Sequence, residues 1–95
     1  MRKYVPKSVE IMGHRVTVTI IDKKKWKIPE AVAYWEPSKL QILIMRQSAD
    51  QMAHCFLHEL THAVLDAMSH KLSRDEVFVD TFSGLLHQAF ASAVR

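Results

Sequence analysis

The stretch from Ser48 to Met68 constrains this chain more than any other. Phe56, Leu60, Ala63, Val64 and Ala67 recur at helical spacing, and Leu57, Leu65 and Met68 widen the stripe until the helix is apolar on most sides. Such a helix is expected to run through the centre of its domain, covered on more than one side. Ser48 with Gln51 three residues on supplies a reciprocal cap for its start. With 95 residues, 48% of them apolar, only one hydrophobic core is affordable, so the chain reads as a single domain, 1–95.

Upstream the period changes. From Arg15 to Ile20 apolar and polar residues alternate, which predicts a half-buried strand. Val9 to Ile11 pairs with it in a hairpin around Met12-Gly13, where glycine supplies the backbone conformation a tight turn needs. A second hairpin is expected from Ala31–Trp35 and Leu40–Met45, which flank Glu36-Pro37-Ser38-Lys39. The sheet region is thus about 9–46 and the first helix about 49–69. After a break at Ser69 to Leu72, a Ser73/Glu76 capping box opens a second helix, about 74–93. Val79, Phe82, Leu86 and Phe90 form its apolar stripe, and Gly84 marks a site of close helix packing. Strands followed by two helices give an α+β class, with a small antiparallel sheet of three or four strands packed on the helices.

A lone cysteine, Cys55, closes no intrachain disulfide, so stability must come from the core, a metal or a partner. The longest uncharged run, Thr81 to Val94, is too short and too polar for a bilayer. The basic start leads into no apolar leader, and a cytoplasmic chain is the expectation. Charge is uneven. Residues 1–27 carry eight Lys/Arg against Glu10 and Asp22, and residues 28–95 carry five against eight acids. Lys23-Lys24-Lys25-Trp26-Lys27 has the composition of a nucleic-acid contact, lysines on phosphates and indole on a base, but no nucleic-acid motif accompanies it. A solvated loop is the simpler reading.

The central helix contains His58-Glu59-Leu60-Thr61-His62, an HExxH pentapeptide. Imidazoles four residues apart on a helix project from one face on successive turns, close enough to share one Zn²⁺. Glu59, beside the first of them, is placed to take a proton from a water in the open position. Burying two histidines and a carboxylate in so apolar a helix is costly unless a metal partners them.

Catalytic zinc usually takes three protein ligands. Glu76, fourteen residues after His62 at the start of the second helix, can return across a short loop. Asp80 lies one turn later on the same face. One of the two acids suits a ligand and the other a bond to a histidine N–H, with Glu76 the first choice as ligand and the reverse assignment open. His54, His58 and His62 cannot all bind one ion, because their end-to-end rise is ~12 Å. Only the pair at 58 and 62 carries a following glutamate. Cys55 reads as a buried thiol, and His14 and His70 as turn residues. His87, on the second helix, is a candidate donor to a reaction intermediate.

His58-Glu59-Leu60-Thr61-His62-Ala63-Val64-x-Asp66 is similar to the active-site helix of thermolysin-type gluzincins, and Glu76-x-x-x-Asp80 resembles their glutamate ligand followed by an aspartate that bonds a ligand histidine. The resemblance implies His58, His62 and Glu76 as zinc ligands, Glu59 as general base and Asp80 on a ligand imidazole. The chain departs from that pattern in a shorter interval to the third ligand and in having no second domain to bring a transition-state histidine. In size and layout, over roughly residues 30–90, it looks more like the short phage or prophage metallopeptidases grouped with ImmA/IrrE-like proteins. By that analogy the fold is a minimal zincin, and its first cleft-side strand, with Ala33, Tyr34 and Trp35, holds an extended peptide or protein substrate. The expectation is a zinc metallopeptidase. The alternative is a metal-binding regulatory or nucleic-acid-binding module without proteolysis.

Overall fold

The computed structural model describes residues 5–94. Four strands, β1 (Ser8–Ile11), β2 (His14–Ile21), β3 (Ala33–Glu36) and β4 (Gln41–Met45), precede helices α1 (Ala49–Ala67) and α2 (Glu76–Ala91). The α+β class, both hairpins and both helices follow the sequence reading, with strand and helix ends shifted by at most two residues.

β1 and β2 close around Met12-Gly13, with Ile11 opposite His14 and positive φ at both turn residues (50° and 79°). That is the type I′ geometry, whose twist matches the flanking strands. The second hairpin turns through Pro37–Lys39 and ends on Leu40 at φ 50°, in the left-handed region.

The sheet is mixed and not wholly antiparallel as expected. Its order is β1-β2-β4-β3, and β2 and β4 run parallel, Thr17 beside Gln41 through Ile21 beside Met45. Each hairpin is antiparallel within itself, and the inconsistency lies in which strand of the second hairpin turns inward. β4 is Gln41-Ile-Leu-Ile-Met45, a near-continuous apolar run in which Ile42 and Ile44 are fully buried, the composition of a central strand. β3 carries Glu36 and borders Pro37, so it takes the edge. Placing β4 next to β2 leaves them parallel.

The core lies between one sheet face and α1: Val16, Val18, Ala33, Ile42 and Ile44 against Phe56 and Leu57. α2 packs on another side of α1 through Val79 and Ser83, both fully buried. α1 is therefore covered from two directions, as its apolar girth requires. Its start is capped by Ser48 Oγ, which accepts from Gln51 N–H (3.2 Å). Its end closes with Ser69 at φ 52° and His70 N–H donating to the Leu65 carbonyl (2.8 Å). His70 then caps the next turn, its Nδ1 accepting from Leu72 N–H.

Two features of α2 differ from the sequence reading. Its N-cap is Asp75, whose Oδ1 accepts from Phe78 N–H (3.0 Å), while Ser73 sits in the preceding 3-10 turn, Lys71–Arg74. Asp75 wins because the 3-10 turn delays the helix start by two residues, and this frees the Glu76 carboxylate from capping. The expected stripe is also only partly covered: Val79 is buried, but Phe82 and Phe90 are 48% and 41% exposed. A single neighbouring helix can cover only one side of α2.

Removing the cap by Asp75→Ala is expected to lower unfolding free energy by about 1 kcal/mol. Ser73→Ala should cost under about 0.5 kcal/mol. Urea denaturation of the two metal-free variants measures both, and an equal or reversed order contradicts the assignment of the cap.

Candidate metal centre

One row of α1 carries its three histidines and both of its aspartates. Asp50, His54, His58, His62 and Asp66 recur at every fourth residue. Four residues exceed one helical turn by 40°, so the row winds by about 160° from first to last. Its ends accordingly meet different neighbours. Asp50 Oδ1 lies 3.4 Å from His87 Nε2 on α2, and Asp66 Oδ2 accepts from the Trp35 indole of β3 (2.7 Å). Between them His58 and His62 look into the open angle between α2 and the sheet edge.

There Glu76 meets both histidines. Its Oε1 is 3.3 Å from His58 Nε2 and its Oε2 is 3.1 Å from His62 Nε2. The other imidazole nitrogens are engaged: His58 Nδ1 lies 3.0 Å from Asp80 Oδ1, and His62 Nδ1 bonds the Ser73 carbonyl. A carboxylate and a carbonyl only accept, so each Nδ1 must carry a proton and donate. In the neutral imidazoles both Nε2 atoms are then lone-pair acceptors, and they face a carboxylate that is also an acceptor. Such a cluster needs positive charge between its acceptors, supplied by protons on the rings or the carboxyl or by one metal ion. One donor atom from each of His58, His62 and Glu76 falls within 4.8 Å of the others, a group that could hold a metal ion.

Glu59 is the third element. It is 8% exposed, and burial pushes its carboxyl pKa up. The His58 and His62 imidazoles pull the other way, the Glu76 charge adds to the rise, and a hydrogen bond from the Trp35 backbone opposes it. That bond fixes the orientation of the edge. Met45 N–H donates to the Val32 carbonyl, so the two-residue alternation turns Val32, Tyr34 and Glu36 toward β4, and turns the backbone groups of Ala33 and Trp35 outward. Ala33, Tyr34 and Trp35 line a cleft of about 1000 Å³ together with His58, Glu59 and His62.

The structure thus brings His58, His62 and Glu76 together as a possible metal site, with Asp80 on His58. It places Cys55 beside the cleft as a thiol held protonated: burial raises its pKa, the Gln47 amide on Sγ lowers it, and the Glu59 charge raises it again. His87 does not take the donor position that sequence suggested. It stacks on His54 (centroids 5.0 Å, planes 13° apart) and faces Asp50. Gly84 does not mark the close helix packing that sequence suggested: a Cβ there would meet only His54 Nε2, at an ordinary contact distance of 4.0 Å. The Trp26 indole donates to the Ile28 and Ala31 carbonyls (2.7 and 2.8 Å), which ties the end of the lysine run into its own loop. Sequence reading missed the Ser73 carbonyl and the Trp35–Asp66 bond. Asp66 was findable as the last step of the four-residue row, whereas a backbone carbonyl leaves no sequence signal.

No protein-family model, curated protein or solved structure matches this chain. No helix among the described residues is long and apolar enough to cross a membrane.

A carboxyl whose pKa is raised by folding binds its proton more tightly in the native state. Its contribution is complete below the ordinary value near 4.5 and is lost as pH rises through the native one. The metal-free Glu59→Gln chain, which has nothing to ionise there, is therefore expected to melt above the metal-free wild type at pH 7–8. The gap should shrink on acidification toward pH 4.5. Thermal melts followed by circular dichroism decide this, and a Gln variant less stable at pH 8 contradicts it.

Proposed function

We propose that this protein is a zinc-dependent metallopeptidase. The observation that carries the reading is the conjunction of a buried Glu59 with two imidazoles whose Nε2 lone pairs converge on Glu76. Two nitrogens and a carboxylate oxygen are a donor set suited to zinc with one position left open. One donor atom from each of the three residues lies within 4.8 Å of the others, a spread that small side-chain adjustments around an ion with bonds of about 2.0–2.1 Å would close. Asp80 and the Ser73 carbonyl fix the tautomers and ring orientations that such binding needs.

Bound there, zinc would polarise a scissile carbonyl and acidify a water. The rest of the chemistry falls to the chain. Glu59, dry and held by the Trp35 amide, accepts the water proton, and its raised affinity for that proton suits it to hold the proton and deliver it to the leaving nitrogen. With the Trp35 N–H taken by Glu59, the outward Ala33 N–H and the Ala33 and Trp35 carbonyls remain to pair an extended peptide alongside β3, which sets the scissile bond against the metal. Tyr34, 44% exposed, contributes to the wall of the cleft. Trp35, tied to Asp66, keeps β3 fixed to the helix that carries the ligands. The reading as a nucleic-acid module is less well supported, because the one aromatic in the lysine run is bound into its own loop.

The test is cleavage of a degenerate peptide library by protein loaded with one equivalent of zinc. Wild type should cut, lose activity to a chelator and regain it with zinc. Glu59→Gln should bind zinc equally and cut about 10²–10⁴-fold more slowly. A zinc-loaded wild type that leaves the library intact, or a Gln variant as active as wild type, contradicts the proposal.

A further inference from the structure

α2 stands apart from the main core. The buried apolar cluster takes its side chains from β2, β3, β4 and α1, and among the described residues of α2 only the half-buried Leu86 reaches it. Against α1, α2 fully buries Val79 and Ser83, and the Ser83 hydroxyl turns back to the carbonyl of Asp80 (3.5 Å). One fully buried apolar side chain does little to offset the entropy of ordering a helix of 16 residues.

The polar links across the joint concentrate at the metal centre. Glu76 meets His58 and His62, Asp80 meets His58, and the Ser73 carbonyl meets His62. At the other end of the joint His87 stacks on His54 and faces Asp50. The Glu76 and Asp80 side chains are 66% and 68% exposed, so as ion pairs they are screened by solvent and hold the helix weakly. A metal bond from Glu76 is of another order, and it joins the two helices directly: two donors belong to α1 and the third to α2.

We propose that α2 is a metal-clamped flap. In the metal-free chain it opens as a unit ahead of the sheet and α1, and zinc shared by His58, His62 and Glu76 holds it closed. The proposal rests on the metal centre and not on peptide cleavage. An ion that needs all three donors binds only the docked form, and so favours that form by the factor 1 + [L]/Kd. Closure also builds the cleft, because Ser73, Arg74, Glu76 and Asp80 line its far side. The peptide groove is thus complete only while the metal is held.

Hydrogen exchange of the full chain, read by mass spectrometry at pH 7 with and without zinc, tests this. In the metal-free chain the interior amides of α2 are expected to exchange at least about 10-fold faster than those of β2 and β4. Free zinc buffered at about 100 times its Kd should slow α2 by up to about 100-fold. In Glu76→Ala, α2 should exchange fast with or without zinc while the sheet keeps its protection. Three results overturn the proposal: α2 as protected as β2 and β4 in the metal-free chain, zinc that leaves α2 exchange unchanged, or zinc that slows α2 in Glu76→Ala as it does in wild type. Loss of sheet protection in Glu76→Ala also overturns it, since α2 and the sheet would then fold as one unit. None of these readings requires the chain to cut a peptide.

Discussion

Everything in this molecule is arranged around a pair of imidazoles that have already given away their protons' direction. Because Asp80 and the Ser73 carbonyl can only accept, the Nδ1 atoms of His58 and His62 donate, and the two Nε2 atoms are left as acceptors facing a third acceptor, Glu76. Such a cluster repels itself without positive charge between its acceptors. The protein holds it together with parts drawn from separate elements: two turns of α1, the first two turns of α2 and the 3-10 turn between them.

The four-residue row on α1 explains how a fold this small reaches so many partners. A row that drifted faster would lose contact between neighbours, and one that did not drift would face a single element. The 40° step lets Asp50 reach α2 and Asp66 reach β3 while the histidines between them face the cleft. One helix is thereby clamped to the other helix at one end and to the sheet edge at the other. Glu59, off this row, is desolvated by burial and meets the Trp35 backbone on the edge strand. Burial and chemistry are in this way the same fact: the apolar girth that drives α1 into the core also dries its carboxylate.

Local signals were legible and non-local choices were not. HExxH on an apolar helix, the Met12-Gly13 turn, the Ser48 cap and the return of Glu76 and Asp80 to one face all depend on spacing within a few residues. Sheet direction depends on which strand of the second hairpin turns inward, a competition in burial between β3 and β4 that no turn encodes. The cap of α2 was misread because Ser-x-x-Glu and Asp75 compete over two residues, and the 3-10 turn that favours Asp75 is itself set by docking on α1. Phe82 looked like core because periodicity reports an apolar face and not what covers it.

The central claim is most directly tested by X-ray absorption at the zinc edge of the metal-loaded chain. The account predicts two imidazole nitrogens and oxygen donors at about 2.0–2.1 Å with no sulfur neighbour, and loss of one oxygen scatterer in Glu76→Ala. A spectrum without imidazole scattering, or with a thiolate at about 2.3 Å, contradicts it.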